Sequence, residues 1–202
     1  MGNLHSVKKA FIRLQEDVKI VQAPSDLKGC KALVLPGVGA FDPAMESLRS
    51  TGLIPFLLDW VKMGKPLLGI CLGLQLLFES SDEGSLDGLG LLKGHIKRLP
   101  EDLEERIPHM GWSLTKRHRN CPIWDSGEKD SWLYFVHSYS AITERDLDLI
   151  ATCDFGAEKI TAIVWKDNLG ACQFHPEKSG KEGNKMLANW VKWIDKQSSC
   201  SR

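Results

Sequence analysis

The apolar run Pro66 to Ile70 passes directly through Gly69-Ile70-Cys71-Leu72-Gly73 into a second apolar stretch, Leu72 to Phe78. A short apolar run bounded by turn residues reads as a buried parallel strand. The segment therefore predicts a strand, a sharp turn and a buried helix in immediate succession. Lys31 to Leu35 is a second such strand, ending at Pro36 and glycines. Asp42 to Arg49 and Ile54 to Met63 read as helices between the two. Ahead of them Val7, Ala10, Phe11 and Leu14 take the i, i+3, i+4, i+7 spacing of an amphipathic helix. This alternation argues for an α/β fold, a doubly wound and mostly parallel sheet flanked by helices.

The second half has a different rhythm. His95 to Leu99, Met110 to Thr115, Trp132 to Val136, Leu149 to Cys153, Thr161 to Trp165 and Ala171 to Phe174 read as short strands separated by turns. They predict a smaller antiparallel extension, with a polar, irregular insertion around Lys116 to Asp130. A closing helix is marked by the capping-box pattern Ser179-Gly180-Lys181-Glu182. Met186, Leu187, Trp190, Val191 and Ile194 give it an apolar stripe. At 202 residues and 43% hydrophobic, the chain suits one core. We expect one domain over 1–196 and a polar tail over 197–202.

Charge narrows the function. Lysine plus arginine and aspartate plus glutamate each total 26, so the net charge is zero. That balance provides no broad basic field for nucleic acid or acidic lipid. No apolar run is long enough to span a bilayer, and Met1 opens no signal-peptide pattern. The six cysteines include no C-x-x-C pair. Neither a disulfide framework nor a zinc site is expected, and the compartment reads as reducing cytoplasm.

Three segments could carry chemistry. Gly69 to Gly73 has the G-x-C-x-G form of a nucleophile elbow, whose turn strains its central residue. A helix N-terminus should lower the Cys71 thiol below its free value of roughly 8.5. Taken alone, the pattern fits an inert buried cysteine equally well. His175-Pro176-Glu177 follows a predicted strand; in extended chain Glu177 would lie on the same side as His175 and orient its imidazole. With the elbow it completes a Cys-His-Glu triad; without it, a surface histidine beside a glutamate would be the better reading. Pro36-Gly37-Val38-Gly39 ends the other buried strand. Its glycines let a backbone N–H turn toward a substrate oxygen, as an oxyanion hole shared with the Leu72 N–H would need. By itself the loop is an ordinary turn.

At these residues the chain resembles the class I (triad-type) glutamine amidotransferases, of flavodoxin-like fold. The finer resemblance is to the glutaminase subunits of imidazole glycerol phosphate synthases. It rests on Met1 to Leu4, LPGVGAF (Leu35 to Phe41), GKPLLGICLGLQLLFESS (Gly64 to Ser81), PHMGW (Pro108 to Trp112), YFVHSY (Tyr134 to Tyr139) and QFHPEKSG (Gln173 to Gly180). The resemblance implies Cys71 as nucleophile, His175 as base and acid, and Glu177 as its orienter. Gln75 and the strip His137, Ser138 and Tyr139 would hold L-glutamine, with Gly37, Gly39 and Leu72 around its amide. Asn3, Met110, Trp112, Tyr134 and Lys178 would face a partner, although Trp112 or Tyr134 could equally be core. That partner would be a (β/α)8-barrel cyclase forming a heterodimer, in histidine biosynthesis, with no cofactor or metal in this chain. An alternative consumer of the ammonia is a sugar-modifying amidotransferase. A partnerless cysteine hydrolase and a degenerate binding module are further readings; the PHMGW and HPEKSG segments weigh against the former, the intact triad against the latter.

The family pattern carries asparagine where this chain has Ser113, which bears on a contact near the partner face. Family members also place a β-strand ahead of Met-Gly-Asn. The present chain starts at that point, so an inner strand is expected to be missing, with lower stability as the consequence.

Overall fold

A computed structural model describes residues 4–101, 105–125 and 127–200. The amphipathic segment forms α1 (Leu4–Arg13), followed by β1 (Leu33–Gly37), α2 (Phe41–Ser50), α3 (Ile54–Lys62), β2 (Leu67–Cys71) and α4 (Leu72–Leu76). Then come β3 (Ser80–Ser81), β4 (Gly94–Arg98), β5 (His109–Arg117), β6 (Ser131–His137), β7 (Tyr139–Thr143), β8 (Leu149–Phe155), β9 (Glu158–Lys166) and β10 (Leu169–Cys172). The closing helix, α5 (Gly180–Cys200), runs on into the segment expected as a polar tail.

The larger sheet has the order β1-β2-β10-β9-β8-β5-β6, and β3-β4-β7 form a smaller one. Strand alternation sends Leu68 and Ile70 to one face, packed with Phe11 of α1 and Met186, Leu187 and Trp190 of α5. Leu67 faces the other way, toward Phe41 and Met45 of α2, Leu57 and Trp60 of α3, and Leu72 and Leu74 of α4. Helices on both faces are the doubly wound α/β arrangement that the sequence predicts.

The proportions differ. Only β1–β2 and β2–β10 pair in parallel, whereas β10–β9, β9–β8, β8–β5 and β5–β6 are antiparallel. The sheet is mixed rather than mostly parallel, because hairpin-connected strands join the parallel core edge to edge. Among the described residues β1 is an outer strand, paired on its β2 side.

Three local expectations change as well. The helix after Cys71 stops at Leu76, since the N–H groups of Leu89, Leu91 and Leu92 bond to the carbonyls of Leu76 and Leu77. Those loop donors replace the continuing helix. The insertion after β5 is less polar than its composition, with Trp124 fully buried and bridged to Cys121. In the expected capping box, the Ser179 hydroxyl accepts from the Tyr134 N–H at 3.0 Å and donates to the His175 carbonyl at 2.7 Å.

The register places the chemistry. Gly37 pairs with Cys71, and Cys172 with Ile70, so both elbow and histidine segments leave the sheet at the same C-terminal edge. Gly73 explains how α4 turns so tightly there: a Cβ on it would lie 1.7 Å from the Leu35 carbonyl oxygen. Gly73→Ala should therefore cost stability at or beyond the upper end of the about 1–3 kcal/mol typical of overpacking. Gly39, with φ 104° but nothing within 4 Å of an added Cβ, should lose only about 1 kcal/mol on the same change. Urea midpoints of the two variants measure the difference; equal losses would contradict the packing.

Candidate active site

Cys71 sits where β2 becomes α4, with φ 55° and ψ −112°, the strained conformation the elbow pattern implies. The flanking glycines have distinct jobs. A Cβ on Gly69 would come within 2.9 Å of both the Gly73 carbonyl oxygen and the Leu77 side chain. Strand and helix meet too closely for any larger residue.

His175 comes in from β10, fully buried, with its N–H bonded to the Tyr134 carbonyl at 2.9 Å. Its Nδ1 lies 2.9 Å from Oε1 of Glu177, whose side chain is also fully buried. The contact is as expected, but its local cause is not extended chain. Pro176–Lys178 forms a 3₁₀ turn that brings Glu177 back under the imidazole. Burial works against an imidazolium here. Hydrogen bonds to Cys71 and Glu177 outweigh it, raising His175 from 6.5 to about 9.

Cys71 and His175 open on a cavity of about 310 Å³, lined also by Val38, Gly39, Leu72, Gln75, His137, Ser138 and Tyr139. Such a volume suits a small metabolite. Gly37 is the exception among the expected substrate contacts. It does not border the cavity; a Cβ there would lie 2.9 Å from that of Leu72, so it serves the packing of α4 on β1.

On the outer face of the β5–β6 hairpin, Met110 and Trp112 are 63% and 51% exposed. Tyr134 pairs across from Trp112 with ring centroids 6.0 Å apart, and the Lys178 ammonium sits 5.9 Å above the Tyr134 ring. Trp112 and Tyr134 are therefore surface residues rather than core. Asn3 lies outside the described residues.

Sequence reasoning missed Glu83 and Pro108 in the cavity wall, and Gln173, whose Nε2 lies 3.8 Å from the Cys71 sulfur. It also missed His109, which stacks on Phe135 beneath β6 and meets His137 Nε2 at 3.2 Å. A period-2 reading back from His175 would have put Gln173 on its side. His109 had no comparable signal, because only the β5–β6 register brings it to His137. Burial lowers His109, and burial assisted by its histidine neighbours lowers His137 to about 3.

The comparisons agree with this geometry. Residues 1–193 match the family model "Glutamine amidotransferase class-I". The chain is similar to the imidazole glycerol phosphate synthase subunit HisH of Prochlorococcus marinus strain MIT 9211, 61% identical over 98% of this chain and 93% of that one. A second such subunit, HisH 2 of strain MIT 9313, is 60% identical over 96% and 92%. A crystal structure of a glutamine amidotransferase superposes with a TM-score of 0.74, covering 95% of this chain and 93% of that one at 20% identity. The chain belongs to the class-I glutamine amidotransferases and, within them, to the HisH subunits of imidazole glycerol phosphate synthase.

The buried histidines make stability depend on pH. His137 has a folded value near 3, below its ordinary 6.5, so the unfolded chain binds that proton first. Its contribution is complete above pH 6.5 and falls by up to about 1.4 kcal/mol per unit as pH drops toward 3. His109 adds in the same direction. Urea unfolding followed from neutral pH down to the onset of carboxylate titration should show this slope, and His137→Gln should flatten it.

Proposed function

We propose that residues 1–196 form one catalytic unit that hydrolyses the L-glutamine side-chain amide through Cys71, His175 and Glu177. The observation that carries the reading is the buried line from Glu177 through His175 to a strained cysteine at the cavity wall. In the first step the Cys71 sulfur attacks the amide carbon, and the carbonyl becomes an oxyanion facing the Leu72 N–H and the Val38–Gly39 loop. His175 delivers its proton to the departing nitrogen. The C–N bond breaks, ammonia leaves and a glutamyl thioester remains. Water deprotonated by His175 then attacks the thioester, the C–S bond breaks, glutamate leaves, and His175 returns the proton to the sulfur. Glu177 keeps the imidazole aimed throughout. Gln75, His137, Ser138 and Tyr139 hold the amino-acid end of the substrate.

The ammonia is consumed in histidine biosynthesis. HisH relatives at 51–61% identity favour that role over a sugar-modifying consumer. The partner in this reading is a (β/α)8-barrel cyclase that covers the hairpin face of Met110, Trp112, Tyr134 and Lys178. With it the chain makes imidazole glycerol phosphate and an aminoimidazole carboxamide ribotide. Among the described residues no helix is long and apolar enough to cross a membrane. The cysteines Cys30, Cys71, Cys121, Cys153 and Cys172 are free, and we place the complex in the cytoplasm on that usage.

Two variants test the reading. Cys71→Ala should abolish glutamine-dependent synthesis by the assembled complex and leave synthesis from ammonium salts intact. Ordinary glutaminase turnover in that variant would refute the triad. Lys178→Glu should weaken partner affinity or the coupling of ammonia transfer without changing the urea midpoint. Unchanged affinity and coupling would remove Lys178 from the interface.

A further inference from the structure

Gln173 is the buried polar side chain beside the sulfur for which the glutaminase chemistry above has no role. It has no solvent exposure and directly follows β10, its Nε2 lying 3.8 Å from Cys71 Sγ. Which end of its amide faces the sulfur follows from a backbone carbonyl. The Tyr139 C=O can only accept, and it takes an N–H from Gln75 Nε2 at 3.1 Å and from His137 Nδ1 at 2.8 Å. Gln75 must therefore turn its NH2 group toward Tyr139. The second N–H of that group reaches Gln173 Oε1 at 3.3 Å. With its oxygen occupied, Gln173 presents its NH2 to the sulfur.

The far end of the chain is directed in the same way. His137 donates from Nδ1, so its Nε2 accepts from His109 Nδ1 at 3.2 Å, and His109 Nε2 accepts from the Ser113 hydroxyl at 2.7 Å. Burial keeps both rings neutral, so neither loses its accepting nitrogen to a proton. The donors run from Ser113 through His109 and His137 to the Tyr139 carbonyl on one side, and from Gln75 both to that carbonyl and, through Gln173, to the sulfur on the other.

We infer that Gln173 is a further catalytic residue, donating an N–H to the Cys71 sulfur and holding the thiolate in its attacking position. The inference rests on the glutaminase reading and deepens it. Its chemistry addresses what happens when the thiol ionises. The thiol proton lies within reach of the Val136 carbonyl, 3.9 Å from the sulfur. Once that proton has moved to His175, the carbonyl becomes a repulsive neighbour, and an N–H donor gains strength against the anion. The titratable groups around the sulfur are His175 with Glu177 behind it, His137 with His109 behind it, Glu83 and Tyr139 in the same cavity lining, and Cys172. Burial raises Cys172 far above the ordinary thiol range, so it stays neutral.

The test uses the full chain with its partner subunit. Iodoacetamide labels Cys71 as a function of pH, and the labelled peptide is quantified by mass. Gln173→Glu keeps the oxygen that Gln75 needs and replaces the donor with a repelling oxygen. Gln173→Met removes the donor without adding charge and covers the case in which the carboxylate prevents folding. Each should move the onset of labelling to higher pH by about one unit or more and lower kcat about ten- to hundredfold, the range of a charge-assisted hydrogen bond. KM for glutamine should change little in Gln173→Glu. A measurement that leaves Gln173 intact accompanies them: in the wild-type complex the Gln173 side-chain amide proton should shift downfield in NMR as Cys71 ionises, and stay put in Cys71→Ala. Wild-type labelling profiles in the folded variants, or an amide proton indifferent to thiol ionisation, would overturn the assignment. Labelling and NMR need no turnover, so they separate this outcome from a failure of the glutaminase reading, which Cys71→Ala activity decides.

Discussion

The contact between α4 and β1 is the constraint on which the rest of the site depends. Gly73 lies so close to the Leu35 carbonyl that no side chain fits between them, and Gly69 is crowded by the same helix. A helix pressed that tightly against its own sheet has to leave the strand through a left-handed residue, and that residue is Cys71, at φ 55°. The strain is held in place by buried apolar packing on both sides of the turn, with Leu72 and Leu74 in one core and Ile70 in the other. A nucleophile at the end of a sheet is thus a consequence of close packing, and the placement of its sulfur on the cavity wall follows from where the helix is forced to begin.

The acid–base partner is held by a different device. His175 has its N–H on the Tyr134 carbonyl and its C=O on the Ser179 hydroxyl, which in turn accepts the Tyr134 N–H. Its backbone is therefore tied to β6, whose outer face carries Tyr134 beneath Lys178 and beside Trp112. This places a rigid connection between the exposed hairpin and the buried imidazole. A partner resting on those aromatic rings would press on the strand that positions the proton carrier.

Three histidines in one small region differ sharply in charge. His175 is raised to about 9, because hydrogen bonds to Cys71 and Glu177 outweigh the burial that opposes its charge. His137 is driven to about 3 and His109 is lowered, since burial meets no carboxylate in either case and their partners are another imidazole, a carbonyl and a hydroxyl. Location in a cavity wall alone does not set protonation; the neighbouring acceptor does. One imidazole can carry a proton through a reaction while the others act as fixed dipoles.

Much of this was legible in the sequence. The apolar runs at Pro66–Ile70 and Lys31–Leu35 became β2 and β1, and the helical periodicities at Val7–Leu14 and Met186–Ile194 became α1 and α5, because burial repeats at the period of each element. Cys71 between its glycines, and His175 two residues from Glu177, announced their chemistry because sharp turns and short-range pairs are local. What the tertiary structure alone decided was long-range. The antiparallel majority of the sheet, the early end of α4 under donors from the Leu89–Leu92 loop, and the removal of Gly37 from the cavity each depend on residues distant in the chain. So does the run from Ser113 through His109, His137, Tyr139 and Gln75 to Gln173. Its members come from three strands, a helix and a loop, and a hydrogen bond's direction is set by a partner that no local spacing reveals.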